Sequence, residues 1–196
     1  MARYTGALLK KCRALGIEPQ VIGINKKSNR QVKRSFRKPS EYALQLREKQ
    51  KVRFIYGVLE KPFRNLYERA VTMKGATGEN LVQLLERRLD NVVYRAGFAA
   101  TRAQARQMVN HSHFLVNGKK VNIPSYTVKE NDEITVRAKS KNSTYFKAVK
   151  ESGFRIVPKW LQADKEELKA TVVELPARED LDFPLQENMI VEFYSR

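Results

Sequence analysis

Two pairs of basic residues have spacings that suit the binding of a phosphate. Arg102 and Arg106 are four residues apart, so a helix would hold both guanidinium groups side by side, near the free N–H groups of its first turn. Lys119 and Lys120 follow an Asn-Gly pair, which favours a type I′ hairpin turn and leaves the lysines exposed. The pattern predicts a basic surface formed by a short helix and a hairpin.

Local signals also predict the elements that would position these residues. Thr101-Arg102-Ala103-Gln104 has the spacing of a capping box, so we expect a helix that begins at Arg102. An apolar helical period runs from Leu81 to Ala96, with a restart capped by Asp90. A strand is predicted over residues 133–136. Periodicity alone therefore indicates a basic α+β module.

Two further helices are predicted in front of this module. A Ser-Glu pair before the first and Gly57 after it predict a helix over residues 41–56. The second is expected to begin near Pro62, because apolar residues follow the i, i+3, i+4 pattern as far as Val71. The centre of the first helix is almost wholly polar, and its basic residues are Arg47, Lys51 and Arg53.

The net charge is strongly positive and unevenly distributed. The 196 residues include 38 Lys+Arg and 21 Asp+Glu, a formal net charge of +17. The net charge is +12 over residues 1–53, +9 over residues 54–158 and −4 over residues 159–196. Such a field attracts nucleic acid through phosphate contacts and counterion release, and an anionic membrane less specifically. We expect nucleic acid on the basic side, and either a basic protein or solvent on the acidic side.

Residues 16–40 have neither a helical nor a strand period. Seven cations and no acid lie between Asn25 and Ser40, so internal ion-pair partners are lacking. A solvated linker would have this composition, as would an arm that becomes ordered on phosphate. We favour the arm.

Residues typical of catalysis or metal binding are sparse. Cys12 is the only cysteine, which excludes disulfide frameworks and cysteine-based zinc fingers. There is no phosphate-binding loop, no His-Glu-x-x-His and no Gly-x-Ser-x-Gly motif, and His111 and His113 have no cysteine or acid cluster nearby. No stretch approaches the roughly 20 apolar residues of a membrane span. We expect a cytoplasmic protein that is not an enzyme and has neither a membrane nor a small-molecule substrate as partner.

Specific runs of residues resemble a known family. Three resemble the S-4 RNA-binding module: Arg88-Leu89-Asp90-Asn91-Val92-Val93-Tyr94-Arg95-Ala96-Gly97-Phe98, Thr101-Arg102-Ala103-Gln104-Ala105-Arg106-Gln107, and Val116-Asn117-Gly118. Four others resemble bacterial small-subunit ribosomal protein S-4: Met1-Ala2-Arg3-Tyr4-Thr5-Gly6, Leu46-Arg47-Glu48-Lys49-Gln50-Lys51, Ile55-Tyr56-Gly57, and Glu192-Phe193-Tyr194-Ser195-Arg196. The resemblance spans nearly the whole chain, which is identified as a member of that family.

The resemblance implies an α+β fold with an inserted module. A basic extension over residues 1–40 would precede a mostly helical domain over residues 41–87, completed by residues 151–196. The S-4 module, short helices on a small antiparallel sheet, would occupy residues 88–150. The family implies a primary binder of 16S ribosomal RNA that nucleates assembly of the 30S body. It also implies contact with a neighbouring protein of the S-5 type and with messenger RNA at the entry channel, and a contribution to translational accuracy.

The residues expected to contact RNA are all basic. They are Arg3, Arg13, Lys33, Arg34, Arg37, Lys38, Arg47, Lys51, Arg53, Arg88, Arg102, Arg106, Lys119 and Lys120. The resemblance places those between positions 34 and 38 near the messenger channel. Many family members bind zinc through four cysteines near the N-terminus, but Leu9 stands where one thiol is expected. We therefore predict the zinc-free type, without a cofactor.

Two alternatives share the module and the charge. One is a stand-alone architectural DNA-binding or RNA-chaperone protein, which would not need the helical region in front or the Tyr-Ser-Arg end. The other is an RNA-modifying enzyme, but such enzymes append a catalytic domain, and the segment after residue 150 is too short for one.

Overall fold

The computed structural model describes residues 4–26, 29–30, 38–151 and 157–195. The predicted contacts Arg3, Lys33, Arg34 and Arg37 lie outside the described residues. The chain divides into two compact units: the helical unit, residues 1–82 with 181–196, and the sheet unit, residues 83–180.

Nine helices and five strands form the described part of the chain. The helices are α1 (Leu8–Leu15), α2 (Glu41–Tyr56), α3 (Glu60–Thr72), α4 (Thr77–Glu86), α5 (Leu89–Arg95), α6 (Arg102–Asn110), α7 (Ala138–Lys141), α8 (Thr144–Glu151) and α9 (Glu187–Tyr194). The strands are β1 (Phe114–Val116), β2 (Lys119–Lys120), β3 (Glu133–Val136), β4 (Leu161–Asp164) and β5 (Lys169–Val172). Short 3-10 turns lie at Pro19–Ile22 and Arg178–Asp180. The α+β fold class is confirmed.

Helix α2 begins and ends where its local signals predict. The Ser40 Oγ accepts a hydrogen bond from the Ala43 N–H at 3.3 Å, and Gly57 ends the helix with φ 63°. The almost wholly polar centre of α2 is typical of an exposed helix, yet α2 packs against α9 in the helical unit. Lys49 is buried there: its Nζ lies 3.0 Å from Glu60 and 4.1 Å from the centre of the Phe193 ring. Cation–π contact and ion pairing together stabilise this buried ammonium group.

The sheet unit contains one antiparallel sheet with strand order β2-β1-β3-β5-β4. Its core includes the buried aromatic residues Phe98, Phe114, Phe146 and Trp160. The predicted boundary at residue 150 differs from the observed division. Strand β5 pairs with β3, with Ala170 opposite Ile134, so the sheet unit continues to residue 180 and the helical unit receives only the chain from residue 181.

The predicted Asn-Gly hairpin turn is present between β1 and β2. Asn117 has φ 49° and Gly118 has φ 74°, as a type I′ turn requires. The Asn117 side chain also connects the turn to the next strand: its Oδ1 accepts from the Glu133 N–H and its Nδ2 donates to Asp132 Oδ1, both at 2.8 Å. The turn therefore holds Lys119 and Lys120 in a defined place on the edge strand.

Gly118→Ala is expected to lower the free energy of unfolding of the sheet unit by about 1 kcal/mol. A Cβ at this position would meet no heavy atom within 4 Å, so the cost comes from the positive φ alone. The loss of stability is measured by urea unfolding, monitored through the fluorescence of Trp160, which is the only tryptophan. Lys119→Ala in the extended strand is the control. Equal stability of Gly118→Ala and the wild-type protein would contradict the assigned turn.

Candidate nucleic-acid interface

Helix α6 is held by the predicted capping box. The Thr101 Oγ1 accepts from the Gln104 N–H at 3.1 Å. The Gln104 Oε1 accepts from the N–H of Ala100, one residue before the cap, at 2.9 Å. These two bonds fix the first turn, which carries Arg102; Arg106 lies one turn further along α6.

The structure gives Arg102 and Arg106 different environments. Arg102 is 7% exposed, donates from Nε to Asn91 Oδ1 at 2.8 Å, and lies 4.3 Å from the centre of the Tyr94 ring. The Arg106 side chain is 25% exposed, and its Nη1 lies 3.3 Å from Asp90 Oδ2. The two were predicted to face a phosphate side by side. Of this pair Arg106 is the one with a substantial surface for phosphate, because Arg102 is largely enclosed by protein.

Arg88 also lies inside the protein rather than on its surface. It is 4% exposed and donates to Asp90 twice, from Nε at 3.1 Å and from Nη2 at 2.7 Å. Asp90 was expected to cap a helix restart. Instead α4 ends at Glu86 and α5 begins at Leu89, and the Asp90 carboxylate in the first turn of α5 pairs with guanidinium groups.

A second buried carboxylate completes this cluster. Glu86 is fully buried and accepts from Arg95 Nε at 3.0 Å and Nη2 at 2.9 Å, and from Asn91 Nδ2 at 2.8 Å. We call the whole cluster the arginine network; its members are Glu86, Arg88, Asp90, Asn91, Arg95, Arg102 and Arg106. Sequence reasoning missed the structural role of Glu86, Asn91 and Arg95. The available signal was the presence of polar residues within an otherwise apolar helical stretch.

The remaining residues predicted to contact RNA are either accessible to solvent or paired with other groups of the protein. Lys119, Lys120, Lys38 and Arg47 are exposed, and Arg13 is half-buried. Lys51 Nζ donates to the Pro184 carbonyl at 2.6 Å and lies 3.5 Å from Glu48 Oε1. Arg53 Nη1 lies 2.6 Å from Glu60 Oε2. The exposed cations are therefore the more accessible candidates for phosphate, since Lys51 and Arg53 already have partners within the helical unit.

His113 provides the clearest pH-sensitive group of the sheet unit. Its Nδ1 lies 2.9 Å from the Ser140 Oγ. Burial, together with the charges of His111 and Arg137, lowers the pKa of His113 below its ordinary value. Its neutral form is therefore favoured in the folded protein.

Acidification is expected to lower the thermal midpoint of the sheet unit. A histidine whose pKa is lower in the folded state contributes stability above its unfolded pKa of about 6.5, and this stability is lost as the pH falls through that value toward the folded pKa. Thermal unfolding monitored by Trp160 fluorescence at pH 7.5 and at pH 5.5 measures the change in the midpoint. His113→Gln should flatten the dependence, whereas His111→Gln should retain most of it because burial is the largest cause. The same slope in His113→Gln as in the wild-type protein would contradict this assignment.

Side chains that could bind a metal ion are not clustered in the described part of the chain. Cys12 is buried, and no group of three or more His, Cys, Asp or Glu side chains suited to a metal ion occurs among the described residues. The helices within the described ranges include none that is long and apolar enough to cross a membrane.

Comparison with known proteins identifies the family. The model of the ribosomal protein S4/S9 N-terminal domain matches residues 3–86, and that of the S4 domain matches residues 87–134. Small ribosomal subunit protein uS4 of Lachnospira eligens is 57% identical over 197 residues, which cover all of both chains. The chain belongs to the uS4 family. Proteins with the same name from Agathobacter rectalis and Fusobacterium nucleatum are 56% and 52% identical, over 96% and 100% of both chains.

Membership of the uS4 family confirms the resemblance found in the sequence motifs. The S4 domain match contains the entire arginine network except Glu86, together with the Asn-Gly hairpin. It ends at residue 134, so β4 and β5 extend the sheet beyond the matched region.

Proposed function

We propose that this protein is a structural constituent of the small ribosomal subunit that binds 16S ribosomal RNA as a primary binder. The observation that carries the proposal is the placement of solvent-accessible cations on elements that are hydrogen-bonded within the module itself. Arg106 projects from a capped helix, and Lys119 and Lys120 follow a turn fixed by Asn117. Such a surface recognises the shape and phosphates of folded RNA rather than base sequence.

Internal pairing makes the module a suitable scaffold for this surface. Glu86 and Asp90 form ion pairs with three arginines of the sheet unit, Arg88, Arg95 and Arg106, so those side chains are held by protein partners before RNA binds. Binding then costs less side-chain ordering than it would for a set of mobile cations. Arg106 is the member of the arginine network that combines this support with an exposed fraction, 25%, large enough to contact a phosphate.

The finer roles follow from the same proposal. The protein nucleates assembly of the 30S body in the cytoplasm, contacts messenger RNA at the entry channel and contributes to translational accuracy, without a cofactor or catalytic activity. The exposed Lys38, at the end of the basic extension, supports the channel contact. Glu174 and Glu179, exposed in the acidic C-terminal part, support contact with a basic neighbour of the S-5 type.

Subunit reconstitution tests the assembly role. Purified 16S ribosomal RNA and small-subunit proteins are combined with or without this protein, and the bound proteins are measured by mass spectrometry. We expect omission to reduce the occupancy of other body proteins, and late addition to restore it slowly. Full occupancy of those proteins without this chain would contradict a nucleating role.

A further inference from the structure

A cleft of about 380 Å³ opens beside α1 in the helical unit. Its lining includes four cations, one amide and two apolar side chains: Lys10, Arg13, Lys26, Arg30, Asn29, Leu9 and Ala7. None of the described residues that line it is acidic. The cleft therefore attracts an anion.

Local structure explains why these residues converge. Lys10 and Arg13 are three residues apart on α1 and so lie on the same face of that helix. Gly16, with φ 68°, ends α1, and the 3-10 turn Pro19–Ile22 ends at Gly23, with φ 82°. These two changes of direction bring Lys26, Asn29 and Arg30 beside α1. Burial of Cys12 and Leu15 on α1 secures the helix that forms one wall.

The chemistry of the walls is more specific than a patch of positive charge. Most of the lining is carbon, from Leu9, Ala7 and the aliphatic stems of the basic side chains. Lys10, Lys26 and Asn29 are exposed, so their polar ends are available at the rim, while Arg13 is half-buried and its Nε donates to the Leu9 carbonyl at 3.4 Å. The cleft thus combines an apolar floor with a cationic rim.

A ligand for such a cleft must be anionic at one end and flat or apolar at the other. Duplex RNA presents phosphates on a convex surface and keeps its bases stacked, so it leaves the floor unused. A single-stranded nucleotide can place its base or ribose on the floor and its phosphate at the rim. The volume lies within the range of about 300–1,000 Å³ for small-ligand pockets.

We propose that this cleft binds one single-stranded nucleotide of ribosomal RNA, with its phosphate at Lys10 and Lys26 and its base or ribose against Leu9. The inference rests on the proposed RNA-binding function and adds a second, chemically distinct contact in the helical unit. It assigns to Asn29 and Leu9 a role that the spacing of the basic residues did not indicate, and it places Lys26 of the basic arm at a defined cleft.

Removal of two charges tests whether the cationic rim of the cleft binds a phosphate. Lys10→Gln/Lys26→Gln is compared with Lys61→Gln/Lys74→Gln, which removes two exposed lysines from the same unit. Binding to the folded 5′ portion of 16S ribosomal RNA is measured over a salt series. We expect the cleft variant to bind about tenfold more weakly than the control, with a shallower salt dependence of the affinity. Equal affinities for the two variants, while the wild-type protein binds the RNA, would overturn the cleft and leave the RNA-binding function standing.

Photocrosslinking tests whether a base lies against the apolar floor of the cleft. The same RNA with 4-thiouridine in place of uridine is irradiated in the complex, and crosslinked peptides are mapped by mass spectrometry. We expect a crosslink within residues 7–13, or at Lys26, Asn29 or Arg30, that is reduced in Leu9→Ser. We expect a duplex of the same sequence to give no crosslink there. Absence of that crosslink in the wild-type complex, or equal crosslinking of the duplex, would overturn the nucleotide assignment. Failure of the wild-type protein to bind the RNA at all would instead contradict the proposed function.

Discussion

Glu86→Gln is expected to lower the free energy of unfolding of the sheet unit by about 3–5 kcal/mol. Glu86 is fully buried, and its carboxylate accepts two hydrogen bonds from Arg95 and one from Asn91. The substitution keeps the size of the side chain but removes its charge, so the Arg95 guanidinium, 7% exposed, would remain buried without that countercharge. Because Asn91 also accepts from Arg102, the loss extends through the arginine network.

Fluorescence of Trp160 during urea unfolding measures this effect in the sheet unit alone, since the chain has no other tryptophan. The control is Glu133→Gln, which removes the charge of a partly exposed partner of Lys169 in the same unit. Solvent screens that pair, so we expect little change in the urea midpoint. Similar midpoints for Glu86→Gln and Glu133→Gln would show that the arginine network does not stabilise the unit.

Arg106→Ala/Lys119→Ala/Lys120→Ala is expected to weaken binding to 16S ribosomal RNA by roughly a hundredfold, about 1 kcal/mol for each cation. All three side chains are available to phosphates, and their loss leaves the Arg88–Asp90 and Arg95–Glu86 pairs in place. The unit should therefore remain folded. The slope of log affinity against log salt concentration should also become shallower by about 2–3, because each of the three cations removed accounts for about one phosphate contact.

The matched control removes the same charge from other elements of the same unit. Lys139, Lys147 and Lys150 are exposed on α7 and α8, and their alanine variants should weaken binding much less. Equal weakening by both triple variants would show that net charge, rather than the surface formed by α6 and the hairpin, determines the affinity. Trp160 fluorescence verifies that each variant is folded before binding is compared.

Elements that depend on neighbouring residues in the chain were predictable from the sequence. The caps at Ser40 and Thr101 each need one side chain and one nearby backbone N–H, and the Asn-Gly turn needs two positive φ values. These signals located α2, α6 and the hairpin. Helix α1 was missed because its N-cap, Ala7, makes no side-chain hydrogen bond and gives no such signal.

Features that depend on distant residues could not be predicted in this way. Strand β5 exists because it pairs with β3, and nothing near Ala170 in the sequence indicates that partner. Arg88 and Arg102 look like surface cations in the sequence, yet Asp90, Asn91 and Tyr94 enclose them. The sequence thus located the basic module correctly, but only the tertiary packing separates supporting arginines from exposed ones.

Competition binding tests the central claim most directly. The wild-type protein is bound at physiological salt to the folded 5′ portion of 16S ribosomal RNA, with transfer RNA and duplex DNA added in excess. We expect the protein to retain the ribosomal RNA at nanomolar-order affinity, because the surface formed by α6 and the hairpin recognises a particular RNA shape. Displacement of the ribosomal RNA by every polyanion to the same extent would contradict shape recognition. It would mean that net charge alone determines binding, and it would favour an RNA chaperone.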